Sequence, residues 1–108
     1  MCRMFAFMSR VSLKVQRSLV KADNALHLQS RNHPDGWGIA YYLSGETEPR
    51  QVKSSSAAFG DERFARVSEF LTSHAVVAHV RKATVGDLGL DNTHPSHWRG
   101  WTFCHNGT

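Results

Sequence analysis

The chain has 108 residues, 41% of them hydrophobic and 20% charged, with a net charge of +4. That is enough for one domain with one core and no second domain, and the composition is in the range of soluble globular proteins. No window approaches the roughly 18 consecutive apolar residues that a membrane helix requires, so no membrane partner is expected. The apolar opening, residues 1–8, is too short for a signal-peptide core and lacks a small-residue cleavage site, so the expected address is cytoplasmic. Two cysteines, Cys2 and Cys104, are too few for a disulfide framework.

Residues 2–8 alternate, with Met4, Ala6 and Met8 on one side and Arg3, Phe5 and Phe7 on the other, which predicts a strand that Cys2 opens. From Val11 to Lys21 the spacing of Val11, Val15 and Leu19 predicts an amphipathic helix, its other face carrying Arg10, Lys14, Arg17 and Lys21. That basic stripe has no interleaved aromatic residues and reads as a solvated face rather than a nucleic-acid site. A turn-rich segment, residues 30–36, feeds a predicted strand over residues 37–43. Ser44-Gly45-Glu46 reads as a hairpin-like turn before a weaker strand near residues 50–53.

Asp61 is placed to cap a helix whose apolar stripe is Phe64, Val67, Phe70 and Leu71 and which ends near Ser73. Residues 75–80 form a short, nearly continuous apolar run, predicting a strand buried on both faces with Arg81 at its end. Residues 86–100 are dense in turn formers and read mostly as loop, and residues 101–105 return as a strand.

Four features can carry chemistry. A free cysteine is ordinarily a small buried apolar residue, but position alters the reading of Cys2. Removal of Met1 leaves a thiol and a free α-amine on one residue, and an amine with a pKa of about 7.7 to 8 is a base poised near neutrality. Arg81 is either a surface cation or a fixed fork for a carboxylate. Asn106-Gly107 is either a turn or a donor pair for an oxyanion, where one well-placed donor contributes about 3 to 4 kcal/mol. The seven histidines include His94 and His97 at i, i+3, yet there is no HExxH, no CxxC and no adjacent acidic ligand, so no metal site is expected.

Taken in order, Met1-Cys2, Pro34-Asp35-Gly36-Trp37-Gly38-Ile39-Ala40, Ala78-His79-Val80-Arg81-Lys82-Ala83-Thr84, Asn92-Thr93-His94-Pro95 and His105-Asn106-Gly107 resemble the class II glutamine amidotransferases, above all their stand-alone members. The resemblance implies an α+β fold of the N-terminal nucleophile hydrolase type, with antiparallel sheets stacked between helical layers. It implies that Cys2 is the nucleophile and its amine the base, with Asn106 and Gly107 as the oxyanion hole. Arg81 would bind the α-carboxylate of glutamine or of a γ-glutamyl amide, and Thr84 and His94 would line the pocket. No cofactor is implied. Lys82 and Val85 depart from the sugar-synthesising branch, which has an aromatic residue and a histidine there. Residues 1–108 are read as the N-terminal part of a single amidotransferase domain, with one sheet face uncovered and a second copy or a partner chain as its expected cover. Two readings follow: an amide hydrolase working through a γ-glutamyl thioester, or a non-catalytic module of the same shape that binds a γ-glutamyl ligand or a partner chain.

Overall fold

The computed structural model describes residues 2–106, and among them the chain is α+β. Strand β1 (Arg3–Lys14) is followed by a five-residue π-helical turn (Arg17–Lys21), a single turn of helix α1 (Leu26–Gln29), and the hairpin of β2 (Trp37–Tyr41) and β3 (Arg50–Ser54). Helix α2 (Glu62–Phe70) leads into β4 (Thr72–Val80), and a short ribbon, β5 (Ser96–Trp98) with β6 (Trp101–Phe103), follows. The first four strands form one antiparallel sheet in the order β1-β4-β2-β3. No helix among the described residues is long and apolar enough to cross a membrane.

The register sorts the side chains onto two faces. Phe5 pairs with Ala78 and Phe7 with Val76, while Trp37 and Ile39 lie opposite Val80 and Ala78. This face carries the core, in which Trp37, Ile39, Ala78 and Val80 are closed off with Leu19, Leu26 and Phe64 from the helical side. Burying each such side chain contributes about 1.5 to 3 kcal/mol. The Phe64 ring meets the edge of Trp37 at 84° with centroids 5.1 Å apart. Asp61 joins α2 to β2, because one carboxylate oxygen accepts from the Arg63 N–H at 2.8 Å, capping the helix, and the other accepts from Trp37 Nε1 at 2.8 Å. The predicted cap is therefore also the partner that the buried indole N–H requires.

The other face carries Met4, Ala6 and Met8 on β1, opposite His79, Val77 and Ala75 on β4. On β2 the same face carries Gly38 and Ala40. These are small residues, and residues 93–103 lie over them. A Cβ at Gly38 would overlap the His94 carbonyl and fall 2.8 Å from Pro95 Cδ. Gln51 Nε2 donates to the Pro95 carbonyl at 3.0 Å, and Tyr42 Oη donates to the Gly100 carbonyl at 2.7 Å. Coverage stops short of the β1 edge, where Met8 is 85% exposed.

Four expectations change. The helix expected over residues 11–21 is strand through Lys14, where Leu13 pairs with Ser73 and Lys14 with Thr72 after an irregularity that begins at Met8. Val11, Leu13 and Val15 fit a two-residue period as well as Val11, Val15 and Leu19 fit a helical one, and pairing along β4 decides between them. Phe70 does not join the α2 stripe but is exposed at the helix end, because the chain turns into β4 at Leu71. The segment expected as loop contains β5, held by the pairing of Trp98 with Trp101. Burial of β4 on both faces holds only toward its C-terminal end, at Ala78, His79 and Val80. The described residues form a four-stranded antiparallel sheet with helices on one face and the two-stranded β5–β6 ribbon beside the other, in keeping with the expected α+β class.

Candidate active site

Cys2 precedes Arg3, which pairs with Val80, and Arg81 follows Val80. The start of β1 and the end of β4 are therefore brought side by side by register alone. A cavity of about 160 Å³ opens there, lined by Cys2, His79, Arg81, Thr84, His94 and His105 together with Lys82, Ala83, Val85 and Asn92. Of the residues singled out from sequence, Cys2, Arg81, Thr84 and His94 are thus brought together. Asn106 is exposed and does not line this cavity, and Gly107 lies outside the described residues.

Cys2 is buried, and its thiol points at the Lys82 carbonyl oxygen, 3.8 Å away. Arg3 Nη1 donates to the Cys2 carbonyl at 3.0 Å, fixing the backbone at the head of the strand. Arg81 is only 5% exposed, and its guanidinium donates to the carbonyls of Asp87 at 3.0 Å and Val85 at 3.1 Å. It thereby folds the loop after β4 around itself, and no carboxylate pairs with it among the described residues. A buried guanidinium satisfied only by neutral carbonyls leaves uncompensated positive charge at the cavity, which attracts an anionic group.

The Pro34-Asp35-Gly36 turn holds this loop from below. Asp35 N–H donates to the Arg81 carbonyl at 2.9 Å, Arg81 N–H donates to the Gly36 carbonyl at 2.8 Å, and the Asp35 carboxylate accepts from Ala83 N–H at 2.7 Å. Gly36 has φ +138°, and a Cβ there would stand 3.0 Å from Thr93 Oγ1 and 3.1 Å from the Ser54 carbonyl, so only glycine fits without strain. Thr93 is fully buried and donates to the Gly89 carbonyl at 2.7 Å, which sets the chain entering His94.

Sequence reading missed His79, His105 and Cys104. The His79 and His94 rings lie with centroids 5.2 Å apart, and those of His94 and His105 lie 4.9 Å apart. Burial, followed by the neighbouring His94 charge, lowers the His79 pKa to about 4, and burial followed by the His105 charge lowers that of His94. Both imidazoles are therefore neutral at pH 7. Burial, reinforced by the charge of Cys2, pushes the Cys104 thiol up to about 12. The ligating atoms of His79, His94 and Cys104 all lie within 4.8 Å of one another. His97, on β5, is not among them, so the His94–His97 spacing carried no meaning. The usable signal was Gly38 within a strand, which marks close approach of another backbone.

The sequence profile described as class-II glutamine amidotransferases matches residues 1–108. YafJ of Escherichia coli, named as a candidate glutamine amidotransferase, is 39% identical over 80 residues, covering 69% of this chain and 31% of that protein. An uncharacterized protein of Methanocaldococcus jannaschii is 30% identical over 115 residues, covering all of this chain and 30% of that protein. The gamma-glutamyl-hercynylcysteine sulfoxide hydrolase of Mycobacterium tuberculosis is 36% identical over 74 residues, covering 68% of this chain and 31% of the hydrolase. The chain spans just under a third of the length of these curated relatives.

Proposed function

The chain belongs to the class II glutamine amidotransferases, and from that membership we propose that its cavity is the front of an amide-hydrolysing site in which Cys2, freed of Met1, is the nucleophile. The observation that carries this reading is the meeting of Cys2 and the buried Arg81 in one cavity. The α-amine takes the thiol proton as sulfur attacks the side-chain amide carbon of glutamine or of a larger γ-glutamyl amide. The tetrahedral intermediate collapses to a γ-glutamyl thioester, and the departing ammonia or amine carries the proton away. Water then cleaves the thioester to glutamate and restores the thiol. Arg81 pairs with the substrate α-carboxylate, and Thr84 and His94 flank the chain of the substrate. The oxyanion donors are the Asn106 side chain and the Gly107 N–H.

In this reading residues 1–108 are the front part of a single domain of the N-terminal nucleophile hydrolase type. The exposed Met8, Trp101 and Phe103 support it, since they are apolar groups that a further layer would cover.

Asn106 standing outside the cavity favours a second reading, a ligand-binding module of the same shape without turnover. Glutamate release from glutamine and from γ-glutamyl amides, assayed on protein lacking Met1, separates the two. In the same assay Arg81→Lys is expected to raise KM roughly tenfold or more, because an ammonium cannot reproduce the two-pronged carboxylate contact. An unchanged KM in a variant with an unaltered melt would remove Arg81 from the substrate.

A further inference from the structure

His79 is 1% exposed, and neither of its ring nitrogens makes a well-formed hydrogen bond among the described residues, the His105 backbone standing near the ring but outside good geometry. A neutral imidazole presents one donor and one acceptor, and leaving a buried polar group unpaired costs about 1 to 3 kcal/mol, so a histidine in this state calls for a ligand. The amide chemistry proposed above gives it none. His79 stands instead beside His94 and Cys104, and the three ligating atoms lie within 4.8 Å of one another. They come from β4, from the segment seated on Gly38, and from the residue after β6, so the packing of residues 93–103 over the sheet assembles the cluster.

We propose that His79, His94 and Cys104 form a binding site for a zinc-class divalent cation beside Cys2. Two imidazoles and a thiol, with no carboxylate among them, are a borderline-soft donor set that suits zinc and excludes magnesium and calcium. Zinc holds nitrogen at about 2.0 to 2.1 Å and sulfur at about 2.3 Å, so the cluster has to contract by about 1 Å on binding. The Cys104 S–H bond breaks as the sulfur–zinc bond forms, and one proton passes to solvent. With three protein ligands the fourth position stays open, and His79 and His94 both face the cavity that Cys2 lines. Bound zinc therefore lies against the wall of the cavity that Cys2 lines and suppresses the reactivity of that thiol. Only that last consequence rests on the proposed hydrolase reading; the binding itself does not.

The test is equilibrium dialysis of the metal-free 108-residue chain against zinc chloride, together with cobalt(II) absorption spectra. One zinc is expected per chain, with affinity lowered roughly tenfold or more in Cys104→Ala. The thiolate-to-cobalt charge-transfer band is expected in the parent and in Cys2→Ala and absent from Cys104→Ala. The Cys2→Ala control is needed because an N-terminal cysteine can chelate zinc through its own amine and thiol. Cys104 lies after a ribbon outside the core, so its variant is read on a folded chain, with an unchanged melt as the check. Zinc affinity within about twofold of the parent in Cys104→Ala, loss of the band in Cys2→Ala alone, or no bound zinc overturns the proposal.

Discussion

Replacing Cys2 by alanine is expected to lower glutamate release by at least ~10⁴-fold while leaving the melt of the protein within about 1 kcal/mol of the parent. Alanine at position 2 is as permissive for removal of Met1 as cysteine, so the variant presents the same α-amine and isolates the thiol. The fold tolerates the change because Cys2 is small and, among the described residues, the hydrogen bond of its thiol is the weak 3.8 Å one to the Lys82 carbonyl. Rates measured with glutamine and with a γ-glutamyl amide should fall together, since both acylate the same sulfur. Turnover in Cys2→Ala within tenfold of the parent would sink the hydrolase reading outright.

The largest effect on stability is expected at Phe64. It is fully buried, meets Trp37 edge-on at 5.1 Å, and lies 6.1 Å from the His27 ring. Phe64→Ala removes that ring from the one layer of the core that lies between α2 and the sheet. Its expected cost is about 3 to 5 kcal/mol, combining lost transfer free energy with the cavity left behind. Against a total of about 5 to 15 kcal/mol for a native domain, this takes away a large share of the stability. It should appear as a fall in the urea midpoint without a change in slope. A loss below about 1 kcal/mol would mean that α2 does not close the core.

These two residues differ in how far the sequence discloses their roles. The partners of Phe64 follow from local pattern: Asp61 reads as a cap, Phe64 and Leu71 keep helical spacing, and alternation puts Phe5 and Phe7 on one face. Local pattern misleads at residues 11–14, where two periods fit the same valines and leucines and long-range pairing with Thr72 and Ser73 selects the strand. It also misleads at Phe70, since helical spacing says nothing about where the next strand pulls the chain. At the site, the convergence of Cys2, Arg81, Thr84 and His94 was readable only through the order of motifs. The clamp from Asp35 to Ala83 and the fit of Gly36 against Thr93 supply the physical reason for two of those motifs. The cluster of His79, His94 and Cys104 was hidden because its members are far apart in sequence and meet only when residues 93–103 settle on Gly38.

The central claim is that Cys2, with Met1 removed, is a nucleophile facing a site for a glutamine-like substrate. The most direct measurement is the intact mass of the purified chain before and after treatment with a diazo-ketone analogue of glutamine, followed by peptide mapping. The account predicts a chain lacking Met1 that gains one analogue with loss of dinitrogen, the label lying on Cys2 and absent in Cys2→Ala. A chain that retains Met1 and stays unlabelled, or one labelled on Cys104 instead, would contradict it.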